Sequence, residues 1–293
     1  MPQPIRVTPS ESTPPDPVTA LSLGADPGSR AFQVGMVTSS RVLLRGVAVT
    51  YEHVGDGAPI MVLHGWGGQA AAVRPIVDCL GDRWHVCAPD LPGFGASMAP
   101  PEAWSVRDYA AVVQALMEHL DMSAAHVIGH SFGGRVGIVL AAESPVLVRR
   151  LILVNSAGVR HPHGWKDRLR AAAMHGGRRA FAATGGDPVG GWRSRLRAWA
   201  AERFGSDDYR AAGRLRPTFL RVVNEDLRSL LPAIQAPTLL IWGDQDRETP
   251  LAQGQLMAQA IPGASLEVFP GAGHYSYLDQ PTAFCALVRS FLS

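Results

Sequence analysis

The stretch VIGHSFGG, residues 127–134, joins a short apolar run to a Gly-x-Ser-x-Gly pentapeptide. A segment of helical character, residues 135–143, follows it directly. This order predicts a strand, a tight turn and a helix, which together would hold the Ser131 hydroxyl in a strained corner within reach of a base. Gly129 and Gly133 suit such a turn because a side chain at either position would meet neighbouring backbone. A chain with 31 glycines can contain the pentapeptide by chance, so the remaining sequence has to support the interpretation.

Short, uniformly apolar segments alternate with helical ones on both sides of this stretch. We expect two edge strands within residues 42–50, joined near Arg45-Gly46, and buried strands at residues 59–64, 85–88, 125–128, 150–154, 238–242 and 266–269. Helices are expected at residues 70–80, 106–120, 251–260 and 282–292. The alternation predicts an α/β protein whose mostly parallel sheet is covered by helices on both faces.

Two segments depart from this pattern. Residues 1–32 contain seven prolines and are predicted to be a flexible leader. Residues 159–231 show helical stretches without a clear strand, which predicts a helical insertion into a core formed by residues 33–158 and 232–293. Residues 160–228 carry 14 Arg and one Lys against seven acidic residues. This excess is either an ordinary arginine-rich helical surface or a basic cap that favours anionic substrates.

Composition limits the class of protein. Hydrophobic residues make up 46% of the 293 residues and charged residues 18%, which is typical of a globular protein and not of a disordered or fibrous one. The net charge of +2 gives no reason to expect nucleic acid as a partner. The sequence shows neither a signal peptide nor an apolar run long enough for a membrane span. Cys79, Cys87 and Cys285 are odd in number and lack metal-site spacing, so we expect buried free thiols and a cytoplasmic location.

A serine nucleophile needs a base, and His274 is the candidate. It lies in Gly271-Ala272-Gly273-His274-Tyr275, a glycine-rich loop after the last predicted strand, from which its ring could reach Ser131. His130 is closer in sequence, but adjacent side chains on a tight turn point apart. His161 and His163 could form a metal pair, but no third ligand accompanies them, so no metal site is expected.

The base needs a carboxylate to orient it, and donors are needed for the oxyanion. Asp244 and Asp246 both follow the strand at residues 238–242, and chemistry alone leaves both open. The oxyanion donors would be the backbone N–H of Phe132 and one N–H from the turn at residues 64–68, for which Trp66 is the candidate.

Taken together, these segments resemble the motif set of the α/β-hydrolase superfamily. The set comprises His64-Gly65-Trp66-Gly67, residues 90–97, Gly-His-Ser-Phe-Gly-Gly at residues 129–134, Trp242-Gly243-x-x-Asp246 and Gly271-x-Gly273-His274. The resemblance covers about residues 41–292. It implies an eight-stranded, mostly parallel sheet with a helical cap inserted after the sixth strand. It further implies Ser131 as nucleophile, His274 as base, Asp246 as the orienting acid, and Trp66 and Phe132 as oxyanion donors.

The resemblance does not fix the substrate. Relatives with this motif set include carboxylesterases, lactonases, carbon–carbon bond hydrolases and cofactor-free haloperoxidases; dehalogenases and epoxide hydrolases need an aspartate nucleophile, which Ser131 excludes. We expect a cofactor-free serine hydrolase that cleaves an ester or related carbonyl group of a small molecule through an acyl-enzyme. A carbon–carbon hydrolase acting on a ring-cleavage product is the alternative, and a non-catalytic ligand-binding protein on the same fold is the third interpretation.

Overall fold

The computed structural model describes residues 36–159 and 213–293, which form one eight-stranded sheet. Its strand order is β1-β2-β4-β3-β5-β6-β7-β8. The β1–β2 and β2–β4 pairs are antiparallel, and the five other neighbouring pairs are parallel. The strands are β1 (Thr38–Leu44), β2 (Val47–Val54), β3 (Ala58–Leu63), β4 (Trp84–Pro89), β5 (Ala125–His130), β6 (Val148–Val154), β7 (Thr238–Gly243) and β8 (Ser265–Phe269).

Seven α-helices lie within the described residues. They are α1 (Arg74–Leu80), α2 (Val106–His119), α3 (Phe132–Glu143), α4 (Arg216–Asn224), α5 (Leu251–Ala260), α6 (Ser276–Asp279) and α7 (Pro281–Leu292). Apolar residues of α2, α3 and α5 form one core on the first face of the sheet, and those of α1, α6 and α7 form a second core on the other face. Neighbouring residues of β6 divide between the two cores, Leu151 and Leu153 on one side and Ile152 and Val154 on the other. The central strands are apolar throughout because both of their faces are covered.

The predicted fold class is confirmed, and most elements lie within a few residues of the expected bounds. The turn between β1 and β2 falls at Arg45 and Gly46, whose φ angles are +47° and +83°. The helix expected over residues 70–80 begins as a 3₁₀ turn at Ala70–Val73, and α1 starts only at Arg74, just ahead of a proline at its second position.

The leader expected at residues 1–32 lies outside the described residues, as does most of the insertion expected at 159–231. Of that insertion the structure describes α4, flanked by short 3₁₀ helices at Gly213–Leu215 and Arg228–Ala233. Contacts at both ends of α4 join it to the start of α2 and to the segment just before α2. Thr218 Oγ1 accepts from Trp104 N at 3.3 Å, and Arg107 Nη1 donates to Glu225 Oε1 at 2.7 Å. The extent of the cap stays a prediction.

The expectation of three free thiols was wrong for two of the cysteines. Cys79 of α1 and Cys285 of α7 form a disulfide, and only Cys87, buried in β4, is free. The two cysteines are 206 residues apart in sequence, but their helices pack side by side on one face of the sheet with a Cα–Cα distance of 5.8 Å. The argument for a reducing compartment that rested on free thiols therefore no longer holds, and the cytoplasmic location stays a prediction. Among the described helices, none combines the length and the hydrophobicity that a membrane span requires.

Candidate active site

The candidate residues gather at one edge of the sheet because they follow parallel strands. Ser131 comes directly after β5, Asp246 after β7 and His274 after β8, while Trp66 lies in the turn after β3. The carboxyl ends of parallel strands meet at the same edge, and this is where α/β sheets bind their ligands.

Ser131 occupies a strained backbone conformation between β5 and α3. Its φ of +50° and ψ of −110° lie in a region that side chains other than glycine rarely adopt. The two glycines expected to permit the turn are required sterically. A Cβ on Gly129 would come within 2.5 Å of the Gly133 carbonyl oxygen, and a Cβ on Gly133 would overlap the Leu63 carbonyl oxygen. The turn can therefore be this sharp only with glycine at both positions.

The imidazole of His274 is bound to Asp246. The distance from His274 Nδ1 to Asp246 Oδ2 is 2.9 Å, and both side chains are buried. Thr249 also donates to this carboxylate, from Oγ1 to Oδ2 at 2.7 Å and from its backbone N–H to Oδ1 at 2.9 Å. Burial by itself would raise the pKa of Asp246, but hydrogen bonds from His274 and Thr249 outweigh it and lower that pKa to about 2. Asp246 is therefore an anion at neutral pH and can hold Nδ1 as a donor.

The structure separates the two aspartates that the sequence left open. Asp244 lies in an exposed turn, where its Oδ1 accepts from the backbone N–H of Gly271 at 2.8 Å. It thereby fixes the start of the loop that carries His274, whereas Asp246 contacts the imidazole itself.

His130, the histidine next to Ser131 in sequence, is buried and is not among the residues that line the cavity at Ser131. Its Nε2 lies 2.9 Å from the backbone carbonyl oxygen of His274, to which it donates. Burial, reinforced by His274, lowers the pKa of His130 to about 3, so the ring is neutral at physiological pH. His130 thus holds the His274 backbone in place through Nε2.

Sequence reasoning missed Asn155, which follows β6. Its Nδ2 donates to Asp246 Oδ2 at 2.7 Å and to the Gly273 carbonyl oxygen at 3.2 Å, so it joins the loops after β7 and β8. Its Oδ1 accepts from Ser276 Oγ at 2.6 Å. The available signal was the position of a polar residue directly after a buried strand.

The turn after β3 lies against Ser131. A Cβ built on Gly65 would be 3.3 Å from the Ser131 Cβ. His64 stabilises this turn because its Nδ1 donates to the Gly65 carbonyl oxygen at 2.7 Å while its Nε2 accepts from Leu91 N at 2.9 Å. Burial lowers the pKa of His64 to about 4, so this neutral tautomer persists at physiological pH. Phe132 is the first residue of α3, where backbone N–H groups have no partner within the helix.

Ser131 opens onto a cavity of about 500 Å³. Its apolar lining comes from the turn after β3, from α3, from the loop after β6 and from α4, and its charged lining comes from α3 and the loop after β7. The apolar residues are Trp66, Phe132, Ala157, Phe219, Val222 and Val223, and the others are Ser131, Arg135, Arg247, Glu248 and Thr249. Arg135 is itself buried, and its Nη1 donates to the Glu225 carbonyl oxygen at 2.7 Å, at the end of α4.

The second ring nitrogen of His274 lies beside Glu248 and is not hydrogen-bonded to Ser131. Among the described residues, no hydrogen bond joins the Ser131 hydroxyl to His274. The second ring nitrogen, His274 Nε2, lies instead 3.3 Å from Glu248 Oε2.

Within the described residues, no group of three or more His, Cys, Asp or Glu side chains is placed to bind a metal ion, and His161 and His163 lie outside them.

Comparisons with known proteins identify the family of this chain. A family model for the α/β hydrolase fold matches residues 58–281. The chain belongs to this family. Its relatives include proteins named as hydrolases and esterases, and the chain is an enzyme of this family.

Relatives of this α/β hydrolase act on different bonds. The present chain is 32% identical to a 2-hydroxymuconate semialdehyde hydrolase from a Pseudomonas species, and the match covers 86% of this chain and 93% of the relative. It is also 32% identical to a pimeloyl-[acyl-carrier protein] methyl ester esterase from Chromobacterium violaceum, over 82% and 96% of the two chains. Among solved structures, the enol-lactonase from Burkholderia xenovorans matches with a TM-score of 0.66 and 28% identity, over 86% and 99% of the two chains.

Proposed function

We propose that this enzyme is a serine hydrolase that cleaves an ester or related carbonyl substrate through an acyl-enzyme, with Ser131, His274 and Asp246 as its catalytic triad. The observation that carries the proposal is the buried pair of Asp246 and His274, 2.9 Å apart, at the sheet edge where Ser131 opens onto a cavity. The proposed assignment of roles, with a carboxylate on one ring nitrogen and a serine as partner of the other, recurs on unrelated folds.

In this reaction the Ser131 oxygen attacks the carbonyl carbon while His274 Nε2 takes the hydroxyl proton. Asp246 accepts from Nδ1, keeps the ring in the tautomer that leaves Nε2 unprotonated, and stabilises the imidazolium as it forms. The imidazolium then returns the proton to the leaving alcohol as the carbon–oxygen bond breaks. Water attacks the acyl-enzyme in the second half of the reaction, with His274 again taking the proton.

We propose that the backbone N–H groups of Trp66 and Phe132 donate hydrogen bonds to the oxyanion that forms during the reaction. Phe132 N is at the first position of α3, where the helix leaves it without an internal partner and where the helix dipole favours negative charge. Trp66 follows Gly65, whose backbone lies against the Ser131 side chain. The Trp66 ring packs edge-on against Phe94 and Phe132, with centroid distances of 4.9 and 5.3 Å, which fixes the turn.

The test uses purified full-length protein and short p-nitrophenyl esters. We expect measurable turnover and labelling of Ser131 by a fluorophosphonate probe, and loss of both in Ser131→Ala. Ser123→Ala, in an exposed turn, is the matched control and should behave as wild type. Full activity in Ser131→Ala would refute the assignment of the nucleophile.

The alternative is hydrolysis of a carbon–carbon bond in a ring-cleavage product. It is favoured by the similarity to 2-hydroxymuconate semialdehyde hydrolase and by the basic excess in residues 160–228, since such products carry carboxylates. Turnover of a ring-cleavage dienoate with negligible esterase activity would support it. A protein that only binds ligands would leave Ser131 unlabelled by the fluorophosphonate.

A further inference from the structure

Glu248 gives one side of the cavity a negative charge. Its carboxylate oxygen Oε2 lies 3.3 Å from His274 Nε2, so the ring lies between two carboxylates, with Asp246 bonded to the opposite nitrogen. The position of Glu248 is fixed through its backbone, because its N–H donates to Asp246 Oδ1 at 2.9 Å. Asp246 therefore both orients the imidazole and positions the backbone of Glu248.

The charge of Glu248 is not neutralised by an arginine or lysine among residues 36–159 and 213–293. No such nitrogen lies within 4.0 Å of its carboxylate, and its side chain is 60% exposed. Arg247 and Arg135 also line the cavity, but Arg135 is directed toward the end of α4, where it binds the Glu225 carbonyl oxygen. The cavity thus has a carboxylate beside His274, and its lining cations are Arg247 in the same loop and Arg135 on α3.

The location of this charge has a chemical consequence that rests on the proposed function. In an acyl transfer, Nε2 gives its proton to the departing alcohol, so the leaving group has to lie next to Nε2 when the bond breaks. The Glu248 carboxylate occupies that neighbourhood in the absence of substrate. A leaving group must therefore displace Glu248 from Nε2 and then remain beside its negative charge.

We propose that Glu248 is a specificity-determining residue that selects substrates whose leaving alcohol is uncharged or cationic and discriminates against anionic ones. An anionic group placed about 6 Å from a partly solvated carboxylate is disfavoured by about tenfold in kcat/KM. This selection acts on the leaving side alone, so an acidic acyl side remains compatible with the arginines of the cavity.

The experiment compares three acetyl esters that form the same acetyl-enzyme. The alcohols are choline, 3,3-dimethylbutanol and 3-hydroxypropanoate, which are cationic, neutral and anionic, and kcat/KM is measured with a pH-stat on the full-length protein. Because deacylation is identical for all three, differences in kcat/KM report the leaving group. We expect wild type to hydrolyse the anionic ester about tenfold less efficiently than the neutral one, and Glu248→Gln to reduce that ratio to within about threefold.

Two further variants make the result specific to this position. Glu248→Asp keeps the charge and should keep most of the discrimination. Glu267→Gln removes one exposed carboxylate from β8, away from the cavity, and should leave the ratio unchanged. A general loss of folding would lower all three kcat/KM values together and leave their ratio as it is.

The inference is overturned if wild type prefers the anionic ester to the neutral one, or if the ratio in Glu248→Gln equals that of wild type. Failure of the proposed function is a separate outcome, recognised by the absence of turnover for all three esters together with no labelling of Ser131.

Discussion

Replacing Asp246 by asparagine tests most directly whether this carboxylate orients and stabilises His274, and Asp244→Asn is its matched control. The two residues share a type and a loop, but only Asp246 contacts His274, at 2.9 Å and with its side chain fully buried. In Asp246→Asn the imidazolium that forms during catalysis loses a charged partner in a site shielded from water. With the two charges centred about 4 Å apart and an effective dielectric of about 20, the loss is about 4 kcal/mol, or about a thousandfold in kcat.

The substitution also affects stability, with a sign that follows from the pKa of Asp246. Because the folded protein holds this pKa at about 2, against 3.8 for the free side chain, the ionised carboxylate favours the folded state by about 2 kcal/mol at neutral pH. That contribution is present above about pH 4 and is lost as the pH falls through 2. The variant should therefore unfold at a lower urea concentration than wild type at pH 7.

The assay is the single-turnover release of p-nitrophenol from p-nitrophenyl acetate, with near-ultraviolet circular dichroism to confirm that each variant is folded. We expect Asp244→Asn to stay within about threefold of wild type, because the Asp244 carboxylate accepts from Gly271 N and Gln245 Nε2 in an exposed turn and not from His274. The reasoning is refuted if folded Asp246→Asn retains more than a tenth of wild-type activity, or if Asp244→Asn loses as much.

Two further outcomes concern stability. Burial holds the pKa of His64 at about 4 and that of His130 at about 3, below the usual 6.5, so the unfolded state binds protons that the folded state does not. Urea titrations should therefore show the free energy of unfolding falling from about pH 6.5 toward pH 4, by up to about 1.4 kcal/mol per pH unit for each ring. A flat profile would contradict this. The Cys79–Cys285 disulfide joins residues 206 apart, so Cys285→Ala should lower the free energy of unfolding by about 2–4 kcal/mol in the absence of reductant. If wild type melts at the same temperature with and without reductant, the bond does not form.

The uncertain parts of the sequence interpretation share a physical cause. Asp244 and Asp246 have the same side chain and both follow β7, so only the path of the loop decides which one meets His274. Asn155 gave no chemical signal by itself, because an amide acquires its role from the carboxylate and the carbonyl group it reaches across two strands. Cys79 and Cys285 could not be paired from spacing, because their proximity results from two helices packing on one face of the sheet.

The sequence by itself determined the alternation of strands and helices, the strained turn at Ser131 and the order of the candidate residues along the chain. Those features are local: apolar periodicity follows from which faces are buried, and the glycines beside Ser131 reflect contacts with backbone a few residues away and with β3. The tertiary structure alone decided that Asp246 contacts the imidazole, that His130 holds its backbone and that Glu248 lies at its free nitrogen. Each of these is a distance of about 3 Å between loops far apart in sequence, and such distances are set by how the strands align in the sheet and not by the residue types that the loops contain.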